Sequence, residues 1–185
     1  MRGFFRALWR DRRGVSALEF ALVAPFLVLL AAGTIEFGRM MLLTQKLQNA
    51  SFLFADLAAR DKTLSEGKLD DIFLALGNLM QPFDLADHGA AVITSVTAEA
   101  GGDALVNWQR IGAGELDIES DVGEDGGEAI LPDDLEMAAG ETLIVTEVYY
   151  AFAPIFGLTT SPDVLRRVTY YKPRLGSLST LLPGD

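Results

Sequence analysis

Few side chains in this sequence have the type and spacing to do chemistry, and the first to stand out is a carboxylate, Glu19, set inside an otherwise apolar run. A charge there costs on the order of 3 kcal/mol at the centre of a membrane span and less near its edge, so it calls for a reason. A second candidate is the acidic series Asp117, Glu119, Asp121, Asp125 and Glu128, which falls at positions 1, 3, 5, 9 and 12 of a calcium-binding loop pattern. That pattern needs Gly at its sixth position, where this chain has Val122, and no helices are evident on either side. A solvated acidic loop without a structural metal is therefore expected, and weak extracytoplasmic calcium binding stays the open alternative. His88, the single histidine, sits in Asp87-His88-Gly89, which is turn chemistry. With no cysteine, thiol catalysis, thiolate zinc sites and disulfides are excluded together. No phosphate-cradling loop, dinucleotide fingerprint or nucleophile elbow is present either. The expectation is a structural or assembly component without cofactor or catalytic residue.

The element that holds Glu19 is apolar enough to cross a bilayer. Phe20 to Ile35 contains no charged residue, and extending back to Val15 gives 21 positions, about 31 Å of helix against a hydrocarbon core of about 30 Å. Arg2, Arg6, Arg10, Arg12 and Arg13 precede this stretch, whereas its far flank is mixed, with Glu36, Arg39 and Lys46. The positive-inside rule then places the N-terminus in the cytoplasm and the bulk of the chain outside. Beyond the span, Met40, Leu43, Leu47, Ala50, Phe54 and Leu57 recur at helical spacing, so one long helix is expected whose second half is amphipathic. A secretory signal peptide cut near Ala31, Ala32 and Gly33 competes with this reading. Such a cut would split the long helix, and a signal sequence gains nothing from Glu19.

The order Arg12, Arg13, Gly14, Val15, Ser16, Ala17, Leu18, Glu19, Phe20 resembles the processing site of type IV prepilins of the Flp/Tad class. The wider stretch GVSALEFALVAPFLVLLAAGTIEFGR resembles the amino-terminal signature of the TadE-like pseudopilins. ETLIVTEVYYAFAP (Glu141 to Pro154) and YYKPR (Tyr170 to Arg174) are also similar to that family, while residues 61 to 140 carry little of it. The resemblance implies cleavage between Gly14 and Val15 by a prepilin peptidase, with Glu19 and Phe20 serving assembly. It implies as partners other pilins or pseudopilins and the inner-membrane pilus assembly platform.

Cleavage after Gly14 would create an α-amine at Val15, four residues before Glu19, placing amine and carboxylate on one helix face a turn apart. In the first turn a carboxylate also opposes the positive end of the helix dipole. In a bundle of such helices Glu19 could instead meet the amine of a neighbour, and low dielectric would make that pairing a determinant of register. Alternatively, Glu19 marks the headgroup boundary of an uncleaved anchor. Pro25 lies inside the helix and cannot donate to the carbonyl of Ala21, so a kink or local loosening is expected, either to seat the helix beside pilin helices or merely tolerated.

Downstream, Thr63-Leu64-Ser65-Glu66 has the pattern of a capping box, followed by Leu69, Ile72, Phe73, Leu76 and Met80 until Pro82, a second and shorter helix. Strands are expected at Ala91 to Ala98, Leu105 to Ile111, Thr142 to Phe152 and Val164 to Tyr171, the first two joined as a hairpin at Gly101-Gly102-Asp103. Four antiparallel strands on the amphipathic half of the long helix make an α+β fold. The organisation is then a basic leader at 1–14, the long helix at 15–60, and an α+β head at 61–185 with an acidic loop at 112–140. The formal net charge of −11 is concentrated in that head, with no basic residue between Arg110 and Arg166, and excludes nucleic acid as a partner.

These readings describe an inner-membrane, single-pass protein with a cytoplasmic N-terminus and a periplasmic head, a minor pseudopilin-like component of a Flp/Tad-type pilus system. Whether it enters the filament stays open at this point. So does the alternative of an uncleaved single-pass envelope protein whose head binds a periplasmic partner.

Overall fold

The computed structural model describes residues 14–101, 103–158 and 164–184. The arginine-rich leader therefore lies outside the described residues. The element order is α1 (Val15–Ala59), β1 (Leu64–Ser65), α2 (Glu66–Met80), α3 (Leu85–His88), β2 (Gly89–Ala98), β3 (Ala104–Gly112), β4 (Thr142–Ala151), β5 (Val164–Tyr171) and β6 (Leu181–Leu182). The chain divides into two compact units, Met1–Arg39 with Pro154–Thr160, and Met40–Ala153 with Ser161–Asp185.

The larger unit is α+β, as the sequence pattern requires. Its sheet has four antiparallel strands in the order β3-β2-β4-β5. The later part of α1 lies on one face, and the 3-and-4 spacing explains how: Leu43, Leu47, Ala50 and Phe54 are fully buried, with Met40 and Leu57 packed at the margin. They meet Ala91 and Ile93 of β2 and Ile144, Val148 and Tyr150 of β4, with Leu69, Ile72, Leu76 and Met80 of α2 closing the same core. Hydroxyl groups fix the register of helix on sheet. Ser51 Oγ donates to Thr169 Oγ1 at 2.8 Å, and Thr146 Oγ1 donates to the Ser51 carbonyl at 2.9 Å.

Four details depart from the sequence expectation. The capping-box pattern points to Thr63 as N-cap, but Ser65 caps α2, accepting from the Lys68 N–H. Leu64 and Ser65 pair in parallel with Leu181 and Leu182, and this ladder occupies the backbone that an earlier helix start would need. Asp87-His88-Gly89 is not a bare turn either: Asp84 accepts from the N–H groups of Ala86 and Asp87 and starts the single-turn α3.

The hairpin contains a bulge, since Ser95 faces Trp108 while Val96 faces Val106, leaving Asn107 as the extra residue. Its Nδ2 donates to Ser95 Oγ and Thr97 Oγ1. The bulge sends Val106 and Trp108 to opposite faces although their positions share parity. Trp108 joins the helix-side core and donates Nε1–H to the Leu178 carbonyl, and Val106 joins a second cluster with Val96, Val122 and Val145.

The acidic loop is accordingly not simply solvated. Val122, 1% exposed, plugs the second face of the sheet, with Ala129 and Leu131 packed beside it. The hydrocarbon occupies the sixth loop position because it serves the core. Among the described residues no group of three His, Asp or Glu side chains is placed to hold a metal ion.

Candidate membrane and assembly site

The smaller unit carries the residues singled out in the sequence. Val15–Ala59 is one unbroken helix that runs through Pro25, whose missing N–H leaves the Ala21 carbonyl without its usual donor. Its first part is long and apolar enough to cross a membrane, and the most apolar stretch has no buried residue. Leu18, Phe20, Leu22, Phe26 and Leu30 are each about 70% exposed. A soluble core helix buries such side chains; this one presents them on all sides, as a lipid-facing helix does.

Gly14 is exposed, and a Cβ built on it would meet no atom within 4 Å. Val15 is 47% exposed and opens the helix. The spacing places Val15 and Glu19 one turn apart on one face, next to Phe20. Glu19 falls in the second turn, and the first turn holds no acidic residue. The dipole contribution expected for it is therefore small, because that effect decays within the first turn. Glu19 is exposed.

The helix also holds a residue that the sequence reading passed over as a flanking charge. Glu36 is completely buried. Its Oε2 accepts the N–H of Phe156 at 2.6 Å and its Oε1 the N–H of Leu158 at 2.7 Å. Two charge-assisted bonds of this length offset much of the desolvation of a carboxylate. Between the two donors, Gly157 sits at φ 66°, a backbone setting that a side chain would strain. The partners lie 120 and 122 positions away, so no local pattern announces them.

Residues 14–52 match the family model described as TadE-like protein. No curated protein and no solved structure was found to match the chain. The TadE-like match begins at Gly14 and runs through the apolar helix into the part packed on the sheet, which bears out the resemblance seen in the N-terminal motif. The C-terminal runs that also resemble the family lie outside the TadE-like segment.

Those runs nonetheless build two polar clusters in the head. In one, Glu147 is fully buried on the loop side of β4. Its Oε1 accepts from Arg166 Nη2 at 2.7 Å and from Tyr149 OH at 2.7 Å, and its Oε2 accepts from Ser120 Oγ. Burial and the adjacent Glu147 carboxylate push the Tyr149 phenol well above its ordinary range, so it stays a donor. In the other, Asp56 of α1 accepts from Arg60 Nε at 3.1 Å, Arg174 Nη2 at 2.9 Å and Tyr171 OH at 3.3 Å. Both clusters join segments far apart in sequence, Glu147 being matched by one cation and a phenol and Asp56 by two cations and a phenol. Their chemistry is that of staples between elements.

Proposed function

We propose that this chain is a minor pseudopilin-like component of a Flp/Tad-type pilus assembly system, matured by a prepilin peptidase that cuts between Gly14 and Val15. The observation that carries the reading is the coincidence at Gly14: the TadE-like match, the onset of the lipid-facing helix and the sequence-derived cut all meet there. On this reading the basic leader stays in the cytoplasm, the helix crosses the inner membrane, and the head lies in the periplasm. The freed α-amine of Val15 and the carboxylate of Glu19, its own or a neighbour's, then set the register of helix against helix. Partners are the peptidase, other pilins or pseudopilins and the assembly platform. No catalytic step is assigned to the chain, and Phe20 and Pro25 act in how the helix packs.

The test is a Gly14→Leu variant. Because a Cβ at residue 14 meets open space, the substitution leaves the fold alone and is read only by the peptidase, which must seat a side chain where it now meets none. The variant should accumulate at precursor size on a gel. Normal maturation would remove the assignment of the cut.

A further inference from the structure

The buried Glu36 organises more than its own charge. The segment it holds through Phe156 and Leu158, Pro154-Ile155-Phe156-Gly157-Leu158, carries three large apolar side chains that are about half exposed: Ile155 is 59%, Phe156 49% and Leu158 47% exposed. A soluble loop rarely spends three such residues on water. Glu36 follows the 21-residue apolar run directly, about 31 Å along the helix from Val15 at ~1.5 Å per residue. That is the depth at which the far edge of the hydrocarbon core falls. Ile35 and Phe37, on either side of Glu36 in the helix, are 52% and 65% exposed at that level.

We propose that Pro154–Leu158 is a second membrane contact, a short loop whose apolar side chains enter the outer edge of the bilayer beside the helix, with Glu36 as the residue that positions it. The proposal rests on the reading of the first helix as a membrane span. Lipid is the favoured occupant because Glu36, which holds the loop, ends the apolar run of that helix at the depth where the hydrocarbon core ends. The local chemistry also suits the edge of a bilayer: Pro154 has no N–H, and the N–H groups of Phe156 and Leu158 are already taken by Glu36, so fewer unsatisfied donors would meet hydrocarbon. Apolar side chains anchored from a polar, hydrogen-bonded base are how interfacial segments bind membranes. The consequence is that the start of the connection from the central strand β4 to the edge strand β5 is pinned to the membrane surface as well as the helix.

The chain has no cysteine, which makes the test direct. Single-cysteine variants Leu29→Cys, Ile155→Cys and Asp133→Cys of the full chain, carrying an environment-sensitive fluorophore, are reconstituted in vesicles of phosphatidylethanolamine and phosphatidylglycerol. The Ile155→Cys label should resemble the Leu29→Cys label, quenched by brominated acyl chains and protected from aqueous iodide, with the acidic-loop Asp133→Cys label showing the reverse. Adding Glu36→Gln, which offers one acceptor oxygen where two are needed, should restore iodide quenching at residue 155 and leave residue 29 unchanged. An iodide-accessible Ile155→Cys label beside a lipid-quenched Leu29→Cys label overturns the loop contact and spares the span. If the Leu29→Cys label is aqueous too, the span falls and this inference with it. Protection from iodide without quenching by brominated lipid means that a second copy covers the loop, and overturns the lipid assignment. Persistent lipid quenching of the Ile155→Cys label with Glu36→Gln removes Glu36 from the positioning role.

Discussion

Glu19, Glu36 and Glu147 are three carboxylates in apolar surroundings, and what separates them is their partners. Glu147 is locked inside the head by Arg166, Tyr149 and Ser120. Strand alternation already groups it with Leu143, Val145 and Tyr149, so an acid on a buried face is legible in the sequence; its partners, on another strand and in the loop, are not. A Glu147→Ala change leaves Arg166, which is 30% exposed, with Asp121 at 3.2 Å as its remaining ion-pair partner, so the expected cost is roughly 2–3 kcal/mol rather than the full penalty of a buried pair. Thermal melts of the detergent-solubilised chain measure it; an unchanged midpoint would show that the cluster contributes nothing. Glu19 presents the opposite case, exposed on a helix long and apolar enough to cross a membrane. Glu19→Ala should leave cleavage after Gly14 largely intact and weaken co-purification with pilus components. Losing one partner of an ion pair costs about 3–5 kcal/mol if fully buried and less at a membrane edge. Full pilus assembly with the alanine variant would reduce Glu19 to a boundary residue.

At the scale of elements, the long helix was legible because its two halves obey different rules, a run without charges and then an apolar stripe at 3-and-4 spacing. The four strands were legible from their alternation to within one or two residues at their ends. The bulge at Asn107 and the packed side of the acidic loop were not. One inserted residue leaves no mark on a short pattern, and Val122, Ala129 and Leu131 are diluted among carboxylates that dominate any average. Helix and sheet are also tied by charge. Its hydrogen bond from Arg60, assisted by the Arg60 and Arg174 charges, holds Asp56 below the ordinary carboxylate value of 3.8. A lowered folded-state pKa contributes stability that is present above the unfolded value and lost as pH falls through the folded one. Asp56→Asn should therefore lower the melting temperature most at neutral pH, with the gap to the unsubstituted chain closing as the solution is taken from about pH 5 toward pH 2. Melts followed by circular dichroism across that range decide it, and a gap independent of pH would contradict the assignment.

For the whole molecule, the match to TadE-like proteins covers the helix alone, and the larger compact unit, Met40–Ala153 with Ser161–Asp185, is α+β with the later part of that helix in its core. On the proposed function, what such a chain does depends on whether it is cut after Gly14, because that cut would give the helix a free amine one turn before Glu19. Mass spectrometry of the N-terminal peptide of the protein purified from membranes measures this directly. The account predicts a mature chain that begins at Val15. A chain that begins at Met1 would make it an uncleaved single-pass anchor, one that begins near Thr34 a secreted protein, and either would contradict the pseudopilin assignment.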